Sequence, residues 1–120
     1  MYRIKIKKHF DAAHFLKGYR GKCENVHGHR YEVAAYVLAD KLDETGIAYD
    51  FTGLKASLKN ILSRYDHTCL NEIPPFNKIN PSAENIARTI YEELKPVVKG
   101  AELNAIEVWE SPDCSVKYKP

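Results

Sequence analysis

His29-Arg30-Tyr31-Glu32-Val33-Ala34-Ala35-Tyr36-Val37-Leu38-Ala39 is the stretch on which the fold turns. Tyr31, Val33, Ala35 and Val37 share one parity, so an extended chain lays them on one face as a strand. Upstream, Tyr2, Ile4, Ile6 and Phe10 alternate with Arg3, Lys5, Lys7 and His9, a second strand with one wet face. The segment between, Gly18 to Glu24, carries two glycines and scattered charge and reads as a loop. An acidic turn follows from Asp40 to Gly46. Leu54, Leu58, Ile61 and Tyr65 then step by four, three and four, the spacing of a helix with one buried stripe. A second helix places Ile86, Ile90 and Leu94 inward. Asn80-Pro81 reads as its N-cap and first position, and Pro96 and Gly100 as its close. The chain returns as a hairpin, with Ile106, Val108 and Glu110 on one parity, a turn at Ser111-Pro112-Asp113, and Cys114, Val116 and Tyr118 running back.

Strand, strand, helix, helix, strand, strand predicts an α+β domain over 1–120: a four-stranded antiparallel sheet (ββααββ) with both helices on one face. Its two open edges make association with further subunits a reasonable expectation. A chain of 120 residues, 44% hydrophobic and 28% charged, has the composition of a globular domain. Eighteen basic against sixteen acidic residues leave a net charge of +2, too balanced for nucleic acid or an anionic membrane as main partner. The start shows no signal-peptide run and no transmembrane span. Three cysteines, at 23, 69 and 114, form no CxxC pair and cannot all close into disulfides, so a reducing cytoplasm is the expected location.

His27-Gly28-His29 carries the first chemistry. Residues two apart on an extended chain point to one side, so both imidazoles can reach one ion, and Gly28 lets the backbone come close to something bulky. His14, just past the first strand, can be brought to the same spot. Three neutral imidazoles suit zinc and leave a fourth position open. Against this stands the ordinary use of histidines as turn caps or satisfied polar groups. Cys23 has three open roles: a fourth ligand closing a structural site, an unligated thiol beside the metal, or a small buried hydrophobe. Its loop position, with Arg20 and Lys22 beside it, weighs against the last and favours the thiolate. Cys69 and Cys114 are assigned to packing.

Asp66-His67 follows the first helix. A carboxylate orienting an imidazole makes a general acid or base, but adjacent side chains usually diverge, which leaves a helix-end polar pair as the alternative. Glu110 extends the apolar parity of Ile106 and Val108, so it should point inward. A buried carboxylate there needs N–H donors, from a structural partner or from a guanidine-like ligand edge. Glu107, of opposite parity, faces solvent or another subunit. Lys17, Arg20 and Lys22 could meet phosphates but read first as a solvated stretch. Gly18 to Lys22 is not a P-loop.

Taken together, Ala12-Ala13-His14, Cys23-Glu24-Asn25-Val26-His27-Gly28-His29, Tyr49-Asp50-Phe51 with Leu54-Lys55, Leu62 to Asn71, Asn80 to Asn85 and Glu110 resemble a known family. The chain is similar to the 6-carboxy-5,6,7,8-tetrahydropterin synthases of the 6-pyruvoyl-tetrahydropterin synthase superfamily, over nearly its whole length. The resemblance implies a tunnelling fold whose subunits join their sheets into a barrel, usually a homohexamer with active sites between subunits. It implies a carbon–carbon lyase converting 7,8-dihydroneopterin triphosphate to 6-carboxytetrahydropterin, acetaldehyde and triphosphate, on the route to queuosine. Zn2+ would sit on His14, His27 and His29. Cys23 would be the base, Asp66-His67 the partner acid/base pair, and Glu110 the pterin anchor. The pyruvoyl-forming branch has two more residues between cysteine and His-Gly-His, and another branch carries glutamate for the cysteine. Cys23 at the shorter spacing favours the carboxy product, with pyruvoyl formation and a non-catalytic zinc-stabilised binding module as alternatives. Ser82 stands where threonine is common.

Overall fold

The computed structural model describes residues 1–120 and is α+β. Strands β1 (Tyr2–His14) and β2 (His27–Ala39) form a long antiparallel hairpin. Helix α1 (Phe51–Leu62), the two-residue β3 (Thr68–Cys69) and helix α2 (Ala83–Leu94) follow, and β4 (Glu102–Ser111) and β5 (Cys114–Tyr118) close the chain as a second hairpin. The sheet order is β3-β1-β2-β4-β5.

The alternation read from the sequence sets the layers. Phe10, Tyr31, Val33, Ala35, Val37, Ile106 and Val108 are buried with Leu54, Leu58 and Leu62 of α1 and Ile86, Ile90 and Leu94 of α2. Each such aliphatic side chain removed from water contributes about 1.5–3 kcal/mol. Both helices therefore lie on one face. The other face carries a small cluster of Ala34, Tyr36 and Ala105 with Trp109. Lys5 and Lys7 lie over the Trp109 ring there.

Three boundaries differ from the sequence reading. β1 runs on to His14 and β2 begins at His27, because the main-chain ladder pairs every residue from Tyr2↔Ala39 to His14↔His27. Alanines and histidines at this end hide the strand from any apolar pattern. His14 thus ends a strand rather than following one. The cap of α2 is Ser82, whose Oγ accepts from the Asn85 N–H at 3.1 Å; Pro81 precedes the cap and Asn80 lies outside the helix. The sheet has five strands, the addition being β3, which pairs parallel with Ala12 and Ala13 of β1. Two residues are too few to leave a periodic signal. Asp50 caps α1, accepting from the N–H groups of Thr52 and Gly53.

β3 covers only the end of β1, so the outer edge of β1 before Asp11 has no strand beside it, and β5 is the opposite edge. No helix is long and apolar enough to cross a membrane.

Candidate metal centre and adjoining pocket

The β1–β2 register builds the centre. It sets His14 opposite His27 and Ala12 opposite His29. Cross-strand neighbours share a face, so three imidazoles converge over one small alanine. Ring centroids lie 4.6 Å apart for His14 and His27, 5.0 Å for His14 and His29, and 4.8 Å for His27 and His29. Gly28 is not required for close approach within the chain, since a Cβ there would meet only the Ala12 carbonyl at an ordinary 3.8 Å.

Hydrogen bonding decides which nitrogens are free. His14 Nδ1 lies 2.7 Å from the Pro81 carbonyl and His27 Nδ1 lies 2.6 Å from that of Asn25. A carbonyl only accepts, so both Nδ1 atoms carry the proton and both neutral rings present Nε2 lone pairs. Those Nε2 atoms face each other at 3.1 Å, and the buried Nε2 of His29 has no partner. His14 is 1% exposed. Burial holds His14 and His29 below the ordinary histidine pKa, against the upward pull of the Glu110 carboxylate. Converging lone pairs and an orphaned ring nitrogen are satisfied together by a cation, and three imidazoles are a fitting donor set for one.

Glu110 stands at the rim, 31% exposed, with Oε1 3.9 Å from His14 Nε2. It falls within the irregularity in the β4–β5 pairing between Trp109 and Ser111. Cys23, in a single helical turn at Lys22–Glu24, is half-buried and lies outside the set of ligand atoms within 4.8 Å of one another. It lines a pocket of about 220 Å³ together with Glu110, Tyr19 and the start of α2. Cys114 opens on the same pocket and is exposed, so it does not serve packing as expected; Cys69 is half-buried in β3.

Asp66 and His67 do converge, with His67 Nδ1 3.0 Å from Asp66 Oδ2. The left-handed backbone of His67 (φ 58°) breaks the usual divergence of neighbours. Asp66 Oδ1 accepts from the Asp11 N–H at 2.9 Å, and the His67 N–H donates to the Asp11 carbonyl at 2.6 Å. The Asp11 amide, helped by His67, holds the Asp66 carboxyl below the usual carboxylate pKa against the upward push of burial. The His67 ring is 79% exposed. The pair gathers with the Asp11 carboxylate, on the parity of β1 opposite to His14, and so stands apart from the three histidines within one chain.

Tyr31 was missed by the sequence reading. It stacks on Phe10 at 4.9 Å, meets the His14 and His29 rings edge-on, and buries a hydroxyl that has no partner. Its parity, two residues beyond His29, was the available signal.

Comparison with known proteins gives the family. The 6-pyruvoyl tetrahydropterin synthase family profile matches residues 3–120. The chain is 33% identical over 130 residues to the 6-carboxy-5,6,7,8-tetrahydropterin synthase of Bacillus subtilis, covering 99% of this chain and 87% of that one. It is 36% identical over 115 residues to the Synechocystis protein of the same name, covering 91% and 86%. The structure of 6-pyruvoyl tetrahydropterin synthase from Caenorhabditis elegans superposes with a TM-score of 0.87 at 28% identity, over 99% of this chain and 95% of that one. With its fold and nearly its whole length matched, this chain belongs to the 6-pyruvoyl tetrahydropterin synthase family.

Proposed function

We propose that the protein is a zinc-dependent 6-carboxytetrahydropterin synthase, a carbon–carbon lyase converting 7,8-dihydroneopterin triphosphate to 6-carboxy-5,6,7,8-tetrahydropterin, acetaldehyde and triphosphate. The supporting names are those of the Bacillus and Synechocystis relatives. The observation that carries the reading is the convergence of the His14, His27 and His29 rings beside a pocket shared by Cys23 and Glu110.

His14, His27 and His29 would hold the zinc, with the Pro81 and Asn25 carbonyls fixing two of the rings. Bound there, zinc supplies Lewis acidity toward the hydroxyls of the substrate side chain. Cys23 moves protons on that side chain, from the wall of the pocket rather than from the ligand set. Glu110 accepts paired N–H bonds from the pterin edge, which a carboxylate at the rim can reach. Asp66 orients His67 as the second acid/base. Because this pair stands apart from the histidines of its own chain, its site is completed by another subunit, in a homohexamer assembled through the open edges of β1 and β5. We place the enzyme in the cytoplasm, on the route to queuosine.

Assay of the purified, zinc-loaded protein for acetaldehyde release from dihydroneopterin triphosphate tests the proposal. A zinc-loaded oligomer without turnover overturns it. Product mass separates 6-carboxy from 6-pyruvoyl formation. Cys23→Ala separates the enzyme from a zinc-stabilised binding module: the enzyme keeps zinc and loses activity, whereas a closed Cys-His₃ site loses zinc and stability.

A further inference from the structure

The last main-chain pair between β1 and β3 is Ala13 with Cys69, after which the chain turns away into a helical turn at Leu70–Glu72. The ladder nevertheless continues. Asn71 lies 56 residues beyond Phe15, the offset that Ala13 keeps from Cys69, and its carboxamide takes the place of a peptide group. Oδ1 accepts from the Phe15 N–H at 3.0 Å and Nδ2 donates to the Phe15 carbonyl at 3.0 Å. Asn80 repeats the arrangement on Lys17, accepting at 2.9 Å and donating at 2.9 Å. Leu16, between them, donates its N–H to the Cys23 carbonyl at 2.8 Å. Residues 15–17 thus form a short segment in which two side-chain amides hold Phe15 and Lys17 while the Cys23 backbone is tied to Leu16.

We infer that Asn71 and Asn80 are positioning residues: by completing the backbone hydrogen bonding of Phe15 and Lys17, they set the place of Cys23 on the pocket it shares with Glu110. Asparagine suits the task because a carboxamide, like a peptide group, offers a donor and an acceptor, and its short stem leaves few rotamers to order. Aspartate has the same shape and keeps the acceptor, but it has no N–H and would set a carboxylate oxygen against the Phe15 or Lys17 carbonyl. Asn80 is itself held, its carbonyl accepting from Asn85 Nδ2 at 2.8 Å in the first turn of α2. The neighbouring Pro81 carbonyl orients His14. One short connection before α2 therefore supports both the thiol loop and a metal ligand. Such placement matters because proton transfer requires approach within hydrogen-bond reach.

The inference rests on the reading of Cys23 as the proton-transferring group, so its test carries readouts independent of turnover. Asn71→Asp, Asn80→Asp and the double variant of the full chain are compared with the unmodified, zinc-loaded protein. The measurements are hydrogen exchange, alkylation of Cys23 by iodoacetamide followed by peptide mass, zinc content, and kcat and KM. Losing the donors is expected to speed exchange on the order of tenfold in segments 15–17 and 22–24 only. Cys23 alkylation should change by more than about threefold, and kcat in the double variant should fall on the order of tenfold with KM within about threefold. Zinc content stays the same, since Pro81 still holds His14. Unchanged exchange and alkylation overturn the inference, as does faster exchange spread through β1 and β2, or a local loosening that leaves kcat intact. If the unmodified protein turns over no dihydroneopterin triphosphate, the proposed function fails instead, and exchange with Cys23 alkylation still decides the role of the two asparagines.

Discussion

His14 and His27 turn their Nε2 atoms toward each other across 3.1 Å, while the Nδ1 of each ring is committed to a main-chain carbonyl. Two neutral rings so arranged oppose lone pair to lone pair, and His29 adds a third buried nitrogen with no partner. A cation between them removes all three conflicts. His14→Ala, His27→Ala and His29→Ala should each lower metal affinity by more than the ~10–100-fold typical of disturbing a ligand's hydrogen-bond partner. Competition with a chromophoric chelator measures it, and full retention of zinc by any one variant removes that residue from the ligand set.

Metal removal also makes stability depend on pH. In the metal-free protein, burial holds His14 and His29 below the ordinary value of 6.5. The folded state therefore prefers neutral rings, and below 6.5 the unfolded chain binds more protons. Their contribution is fully present above about pH 6.5 and is lost as pH falls from there through the depressed folded-state values. Urea unfolding of chelator-treated protein at about pH 8, 6.5 and 5.5 should show this decline, steeper than in a His14→Ala, His29→Ala double variant.

Glu110→Gln keeps the shape of the side chain but loses the charge and one acceptor. With the carboxylate at the rim rather than in the core, folding should be little affected. Substrate affinity should drop by about tenfold or more, as for loss of one or two charge-assisted hydrogen bonds. Steady-state kinetics with zinc analysis checks this, and an unchanged KM assigns pterin recognition elsewhere.

Asp66→Asn retains an acceptor for the Asp11 amide but removes the carboxylate that orients His67. A kcat loss of about 10²–10⁴-fold is expected. Mixing Asp66→Asn subunits with Cys23→Ser subunits, after dissociation and reassembly, should restore part of the activity. Both variants would be inactive alone, and only a site built from two chains can be complemented. Failure to recover activity in verified mixed oligomers places both groups in one subunit.

Tyr31→Phe removes a buried hydroxyl that has no hydrogen-bond partner. Stability should hold or rise by up to about 1 kcal/mol, because no bond is lost and an unmet desolvation cost disappears. Denaturant titration of the zinc-loaded protein reads the effect. A loss above that size means the hydroxyl has a partner once the metal is bound.

The α+β order, the helix-covered face of the sheet and the identity of the chemical groups are legible in the residues alone. Period two in Tyr31 to Val37 and the helical stripe of Leu54 and Leu58 are local consequences of burial, so they are written in consecutive residues. HxH needs only one extended strand to align two rings. What tertiary structure alone decided was pairing. The full register brought His14 across from His27, through a strand end whose alanines and histidines carry no apolar signal. The left-handed backbone at His67 joined neighbours that ought to diverge, yet parity kept them from the three histidines. Asn71 and Asn80 looked like loop residues until the fold laid their amides along residues 15–17. The strand register and the two asparagines are contacts between distant segments, and the turn at His67 is tied to the distant Asp11 main chain. Such contacts depend on where the backbone hydrogen bonds go, which no local pattern of hydrophobicity encodes.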